Sequence, residues 1–149
     1  MAKIKRVQFT EEFSKLNQDT QSNQETNDCS VKAVALVCGI PYEEARKALA
    51  KRGRAPGRGA YTTSILDTLE DLGKRVSPVN KQEIIAKYPS PHNTLQNITT
   101  HHPRRFPRAW PMGTYLLFVR RHVAAVVDGK LHDWTVNTSK HVLLMYLVD

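Results

Sequence analysis

Cysteine is scarce: Cys29 and Cys38 are the only two in 149 residues. Two thiols are too few for a disulfide framework or a cysteine-based structural zinc site. They stand nine residues apart, about 13 Å if both lie on one helix, which is beyond the reach of a bridge. No apolar run approaches the ~20 residues of a membrane span. The basic start Met1-Ala2-Lys3-Ile4-Lys5-Arg6 is not followed by the apolar stretch of a signal peptide. These absences point to a soluble, cytosolic chain with no membrane partner, folded as one domain over residues 1–149.

Acidic residues are few, 14 against 22 Lys plus Arg, which leaves a formal net charge of +8. Such a surface serves solubility, an acidic protein partner or nucleic acid. The cations fall in clusters: Lys51, Arg52, Arg54 and Arg58; Lys74 and Arg75; Arg104, Arg105 and Arg108; Arg120 and Arg121. No nucleic-acid motif organises them, and Tyr61, Phe106 and Trp110 would make only a sparse stacking platform. An acidic protein or peptide is therefore preferred over nucleic acid as the partner, with the arginines of the two Pro- and Gly-containing stretches drawing it in.

Residues 1–23 form a polar lead-in with a short amphipathic piece from Phe9 to Leu16, and the almost wholly polar run from Asn17 to Asp28 reads as a loop. Then comes Val31 to Cys38, apolar nearly all round, with Asn27 or Asp28 to cap it and Gly39 to end it. This is the signature of a buried helix. Pro41, Glu43 and Glu44 open a second helix that Gly53 stops, and a third runs from Thr63 to Leu72. Asn80-Lys81-Gln82-Glu83 resembles a capping box opening a short helix to Lys87. Five prolines between Tyr88 and Met112 disfavour helix there. Strands follow at Tyr115–Val119, Val123–Val127, Leu131–Thr135 and Val142–Val148, with Asp128-Gly129 as a two-residue hairpin signal. Helices first and antiparallel strands second make an α+β order.

Cys29 falls in the first turn of the buried helix, where free N–H groups and the macrodipole favour an anion and lower a thiol pKa. It is either a small residue beside a cap or a nucleophile, whereas Cys38 falls in the apolar last turn and reads as core. A base decides between the two readings of Cys29. A two-residue loop at Asp128-Gly129 pairs Val127 with Lys130 and Ala125 with His132, and sets His122 opposite Thr135. His122 and Asp133 then share one sheet face as diagonal neighbours, and the carboxylate can reach Nδ1 of the imidazole. A three-residue loop would send Asp133 to the other face. His132 has the opposite parity. His101 and His102 are adjacent, His92 and His141 lack a partner at useful spacing, and no metal spacing or cofactor motif is present.

Thr26-Asn27-Asp28-Cys29, the apolar helix, Gly39-Ile40-Pro41-Tyr42-Glu43-Glu44-Ala45, Gly113-Thr114-Tyr115-Leu116, His122 to Gly129 and Asp133 together resemble the small papain-like cysteine peptidases of bacteria and phages. The likeness covers about residues 24 to 134 and rests on the order and spacing of short pieces. It implies a papain-like α+β fold with the nucleophile helix packed on a C-terminal antiparallel sheet. It implies Cys29 as nucleophile, His122 as general base and Asp133 as the orienting residue. The backbone N–H of Cys29 would serve an oxyanion hole. The family places a glutamine six residues before the cysteine as the second oxyanion donor. Asn23 stands there in this chain and Gln24 one residue later, so either amide is the candidate. The implied activity is that of a cysteine hydrolase, foremost a peptidase, acting through an acyl-enzyme without a metal. Isopeptide cleavage and acyl transfer use the same triad. The alternative is a catalytically inactive basic protein that binds an anionic partner on the same fold.

Overall fold

The computed structural model describes residues 10–80, 113–134 and 141–149. Four helices come first: α1 (Glu11–Ser22), α2 (Cys29–Cys38), α3 (Tyr42–Lys51) and α4 (Thr62–Asp71). Five strands follow: β1 (Val76–Pro78), β2 (Thr114–Val119), β3 (His122–Val127), β4 (Lys130–His132) and β5 (Val142–Val148). The strands form one antiparallel sheet in the order β1-β5-β2-β3-β4. The expected short helix from Asn80 to Lys87 and the proline-rich stretch lie outside the described residues apart from Asn80. So do His92, His101, His102, Arg104, Arg105, Arg108 and the Thr135 end of the return strand. Among the described residues no helix is long and apolar enough to cross a membrane.

The apolar α2 sits at the centre, as its sequence demands. Val31 and Val34 are wholly buried, and the helix packs on β3 on one side and α3 on the other. Gly39, at φ 64°, ends α2 in the left-handed region that costs glycine little, and its N–H bonds to the Ala35 carbonyl. Alternation along the strands makes two apolar layers. Leu116, Phe118, Val123 and Ala125 belong to the helix-side core, while Leu117, Ala124, Val126 and Met145 form a second buried cluster. Burial of both faces explains why β2 and β3 read as continuous apolar runs.

The hairpin register follows the turn. Asp128 and Gly129 both take positive φ, 50° and 83°, which matches the right-handed twist of a two-residue hairpin. Ala125 pairs with His132, Val126 with Leu131 and Val127 with Lys130.

The lead-in differs from its sequence reading, because the polar run is helical as far as Ser22. Thr10 caps it, its hydroxyl accepting from the Phe13 N–H at 3.2 Å. Phe13 and Leu16 dock its first half by apolar contact, while hydrogen bonds that a hydrophobic pattern does not register help to fix it in place. Lys32 Nζ donates to Asn17 Oδ1 at 2.5 Å, and Thr10 Oγ1 meets His132 Nδ1 at 2.7 Å.

The chain between α1 and α2 is fixed by Glu25, a buried carboxylate. Arg54 binds it in fork geometry at 3.1 and 3.2 Å, Arg46 Nε at 2.8 Å and the Gly57 N–H at 2.7 Å. Gly57 lies at φ 76°, and a Cβ there would stand 3.3 Å from Thr26 Oγ1, so this close approach needs glycine. Arg54 is thus a buried structural cation, and Arg52 is bound to Asp71 at 2.5 and 2.6 Å. Of the arginines expected to draw in an acidic partner from this loop, only Arg58 is left with no described carboxylate partner.

The donors around Glu25, Arg54 foremost, outweigh its burial and hold its carboxyl at about 2. Since the folded value lies below the unfolded one of ~4.3, its contribution of about 3 kcal/mol is present above that value. It is lost as pH falls towards 2. Thermal unfolding followed from pH 6 to pH 2 should show this loss, and Glu25→Gln should lower the midpoint at neutral pH while flattening the acid limb.

Candidate functional site

Cys29 is the first residue of α2. Asp28 stands at the N-cap, but its side chain makes no capping hydrogen bond. One carboxylate oxygen accepts from the Thr20 hydroxyl at 2.5 Å and the Tyr42 hydroxyl at 2.7 Å, and the other faces Lys32 Nζ at 3.4 Å. The opening N–H groups of α2 are therefore uncapped by a side chain, at the helix end that attracts negative charge. Asn27, at φ 51°, turns the chain into the helix while its amide donates to the Gly57 carbonyl at 3.0 Å.

His122 opens β3, and the hairpin register brings Asp133 beside it, with Nε2 and Oδ2 2.7 Å apart. Asp133 is buried, and its second oxygen accepts the Trp134 N–H at 2.7 Å. A carboxylate accepts, so Nε2 carries the proton and Nδ1 is left for sulfur. This reverses the expected use of the ring nitrogens. The ring nitrogen farther from the backbone reaches Asp133. The Val123 N–H at the start of β3 adds to the influences that lower the Cys29 thiol.

Cys29 and His122 stand close enough for each to shift the other's titration. Burial pushes the Cys29 thiol up, but the hydrogen bond and charge of His122, with the Val123 N–H, bring it below the ordinary thiol value. Burial alone would push His122 down, yet the bonds to Asp133 and Cys29 lift it to about 9. The pair can therefore exist as thiolate and imidazolium near neutral pH. Cys38 behaves oppositely, its thiol raised by burial.

Strict alternation would put His122 with Ala124 on the sheet face away from α2. His122 is instead the first residue of its strand and lines one cavity with Cys29. These groups open into a cavity of ≈ 630 Å³. Phe13, Trp134, Ala33 and Ala124 give it apolar wall, and Asn27, Gly59 and Arg121 also line it.

The two amides expected at the oxyanion site are elsewhere. Gln24, at φ 52°, is exposed and does not line the cavity. Asn23 spends its amide on the Asp19 carbonyl at 2.8 Å, closing α1. Their displacement follows from α1, whose last turn ends where a loop had been expected. Asn17 and Gln21 line the cavity instead, at the helical spacing that places them on one face of α1 with Phe13. Lys32 was also missed: it is buried, with Nζ 5.2 Å from the Phe13 ring and 5.6 Å from Trp134. A lysine within an apolar helix start, three residues after Cys29, is the signal that was there to read. His132 lines the same cavity, and burial holds it below the ordinary imidazole value. Among the described residues, no three His, Cys, Asp or Glu side chains cluster as metal ligands.

Comparison of the chain with protein-family models, curated proteins and solved structures finds no match.

The environment makes the two thiols distinguishable. With a limiting dose of iodoacetamide at pH 7, Cys29 should label at least about tenfold faster than Cys38. His122→Ala removes the largest lowering influence and leaves burial, so the pH of half-maximal Cys29 labelling should rise above the free-thiol value of ~8.5. Equal labelling of both cysteines in the folded wild type would refute the activated thiol.

Proposed function

We propose that this protein is a cysteine hydrolase of papain-like fold, foremost a peptidase, with Cys29 as nucleophile, His122 as general base and acid, and Asp133 as the orienting residue. One observation carries the reading: the imidazole of His122, held by Asp133 at 2.7 Å, stands beside the thiol at the start of α2, and the two groups lower and raise each other's titration.

Each residue has work that its surroundings fit. The Cys29 thiolate attacks the carbonyl carbon of an amide, forming the carbon–sulfur bond as the carbonyl oxygen takes up negative charge. That oxygen lies towards the uncapped N–H groups of α2, which stabilise it without reorganising. His122 gives its Nδ1 proton to the departing nitrogen as the amide bond breaks, leaving an acyl-enzyme. It then takes a proton from water, whose oxygen attacks the thioester and releases the acid. Asp133, fixed by the Trp134 N–H, keeps the ring turned to sulfur and offsets its positive charge through both steps. Arg54 is buried on Glu25 and Arg52 is paired with Asp71 at the surface, which offsets part of the basic cluster on which a purely binding role rested.

Incubation with a mixed peptide library, followed by mass spectrometry of new termini, tests the reading. Cleavage should fall about a thousandfold or more in Cys29→Ala and in His122→Ala. A peptidyl aldehyde should add reversibly to Cys29 in the wild-type protein alone. Intact library peptides together with no aldehyde adduct would defeat it.

A further inference from the structure

The turn between β2 and β3 contains Arg120 and Arg121, set between the paired residues Val119 and His122. Arg121 takes φ 57°. Glycine or asparagine adopts that conformation at little cost, and an arginine does not. Its side chain is exposed and lines the cavity that holds Cys29. No carboxylate among the described residues pairs with it. The contrast with Arg46, Arg52 and Arg54, each bound to a carboxylate, is sharp.

The cavity's own acids do not quench this charge. Asp28 is buried and taken by Thr20, Tyr42 and Lys32, and Asp133 is buried and taken by His122 and the Trp134 N–H. A guanidinium without a described carboxylate partner thus stands at the cavity mouth, one residue from His122, on a backbone conformation that its residue type disfavours. Backbone strain persists where the surrounding structure holds it, and it gathers at ligand-binding sites.

We infer that Arg121 is a specificity-determining residue that binds a carboxylate carried by the substrate close to the scissile acyl group. The inference rests on the hydrolase reading above and adds the substrate class to it: an acyl donor bearing a carboxylate, either an acidic side chain or a chain end. A planar guanidinium binds that group through two parallel N–H donors.

Two alkylating reagents isolate the charge. Iodoacetate and iodoacetamide both react by attack of the Cys29 thiolate on the methylene carbon, forming a thioether and expelling iodide, and only the first carries a carboxylate. The ratio of their rates at Cys29 should fall about two- to fivefold in Arg121→Asn and Arg121→Gly, and Arg121→Lys should keep most of it. The Asn and Gly variants should melt no lower than the wild type, since both suit the turn, so a folding defect cannot imitate the result. Added salt should shrink the difference. An unchanged ratio in the Asn and Gly variants overturns the inference and leaves the hydrolase reading standing. No labelling of wild-type Cys29 by either reagent overturns both. Protection of Cys29 by N-acetylglutamate α-amide, whose only carboxylate is in its side chain, assigns the ligand to an acidic residue. Protection by N-acetylglutamine, whose only carboxylate is terminal, assigns it to a chain end, and protection by neither counts against the subsite.

Discussion

Much of this structure turns on where the Asp28 carboxylate is spent. An aspartate at an N-cap ordinarily closes the free N–H groups of its own helix. Here it gathers a hydroxyl from α1, a hydroxyl from α3 and the ammonium of Lys32 in α2. Capping and cross-linking compete for the same two oxygens, and cross-linking has won. The three helices are tied together at the level of Cys29, and the dipolar end of α2 has no side-chain cap. Burial and the bond to Asp28 push the Tyr42 hydroxyl far above its usual range, so it remains a donor at every physiological pH.

The same economy recurs in the other buried acids. Glu25 holds the loop around Gly57 against the approach to α2, and Asp133 holds His122 in its orientation. Each is matched by hydrogen-bond donors, the condition under which an ionised carboxylate is tolerated away from water. A strongly basic composition therefore conceals two populations of cations. Arg46 and Arg54 belong to the architecture, and Arg121 faces the cavity.

The legible parts of the sequence were those in which one physical rule acts alone. The run from Val31 to Val37, apolar but for Lys32, points to burial, and α2 lies where that places it. Asp128-Gly129 admits a single tight turn, which fixes the register and brings Asp133 to His122. The helix of Asn17 to Ser22 was hidden because its partners are polar groups beyond its own end, Lys32 and Asp28 among them, and apolar periodicity does not register them. The ring nitrogen that meets Asp133 was hidden too, since strand pairing fixes the residues that are neighbours and not the turn of a ring. β1 escaped notice because three residues, Val76 to Pro78, are too short to show alternation.

The division of the site between the two halves of the chain has a consequence for the protein's life before it is folded. Cys29 belongs to the helical half and His122 to a hairpin made much later in synthesis. Contacts of such long sequence separation are bought last in folding, once loop-closure entropy has been overcome. Until then the thiol has no imidazole beside it and titrates like any other cysteine. A nascent, unfolded or locally opened copy is chemically quiet, and its cysteine is no more prone to oxidation or stray acylation than an ordinary one. The lowering of this thiol belongs to tertiary closure, which brings His122 and β3 to the helix that carries the sulfur.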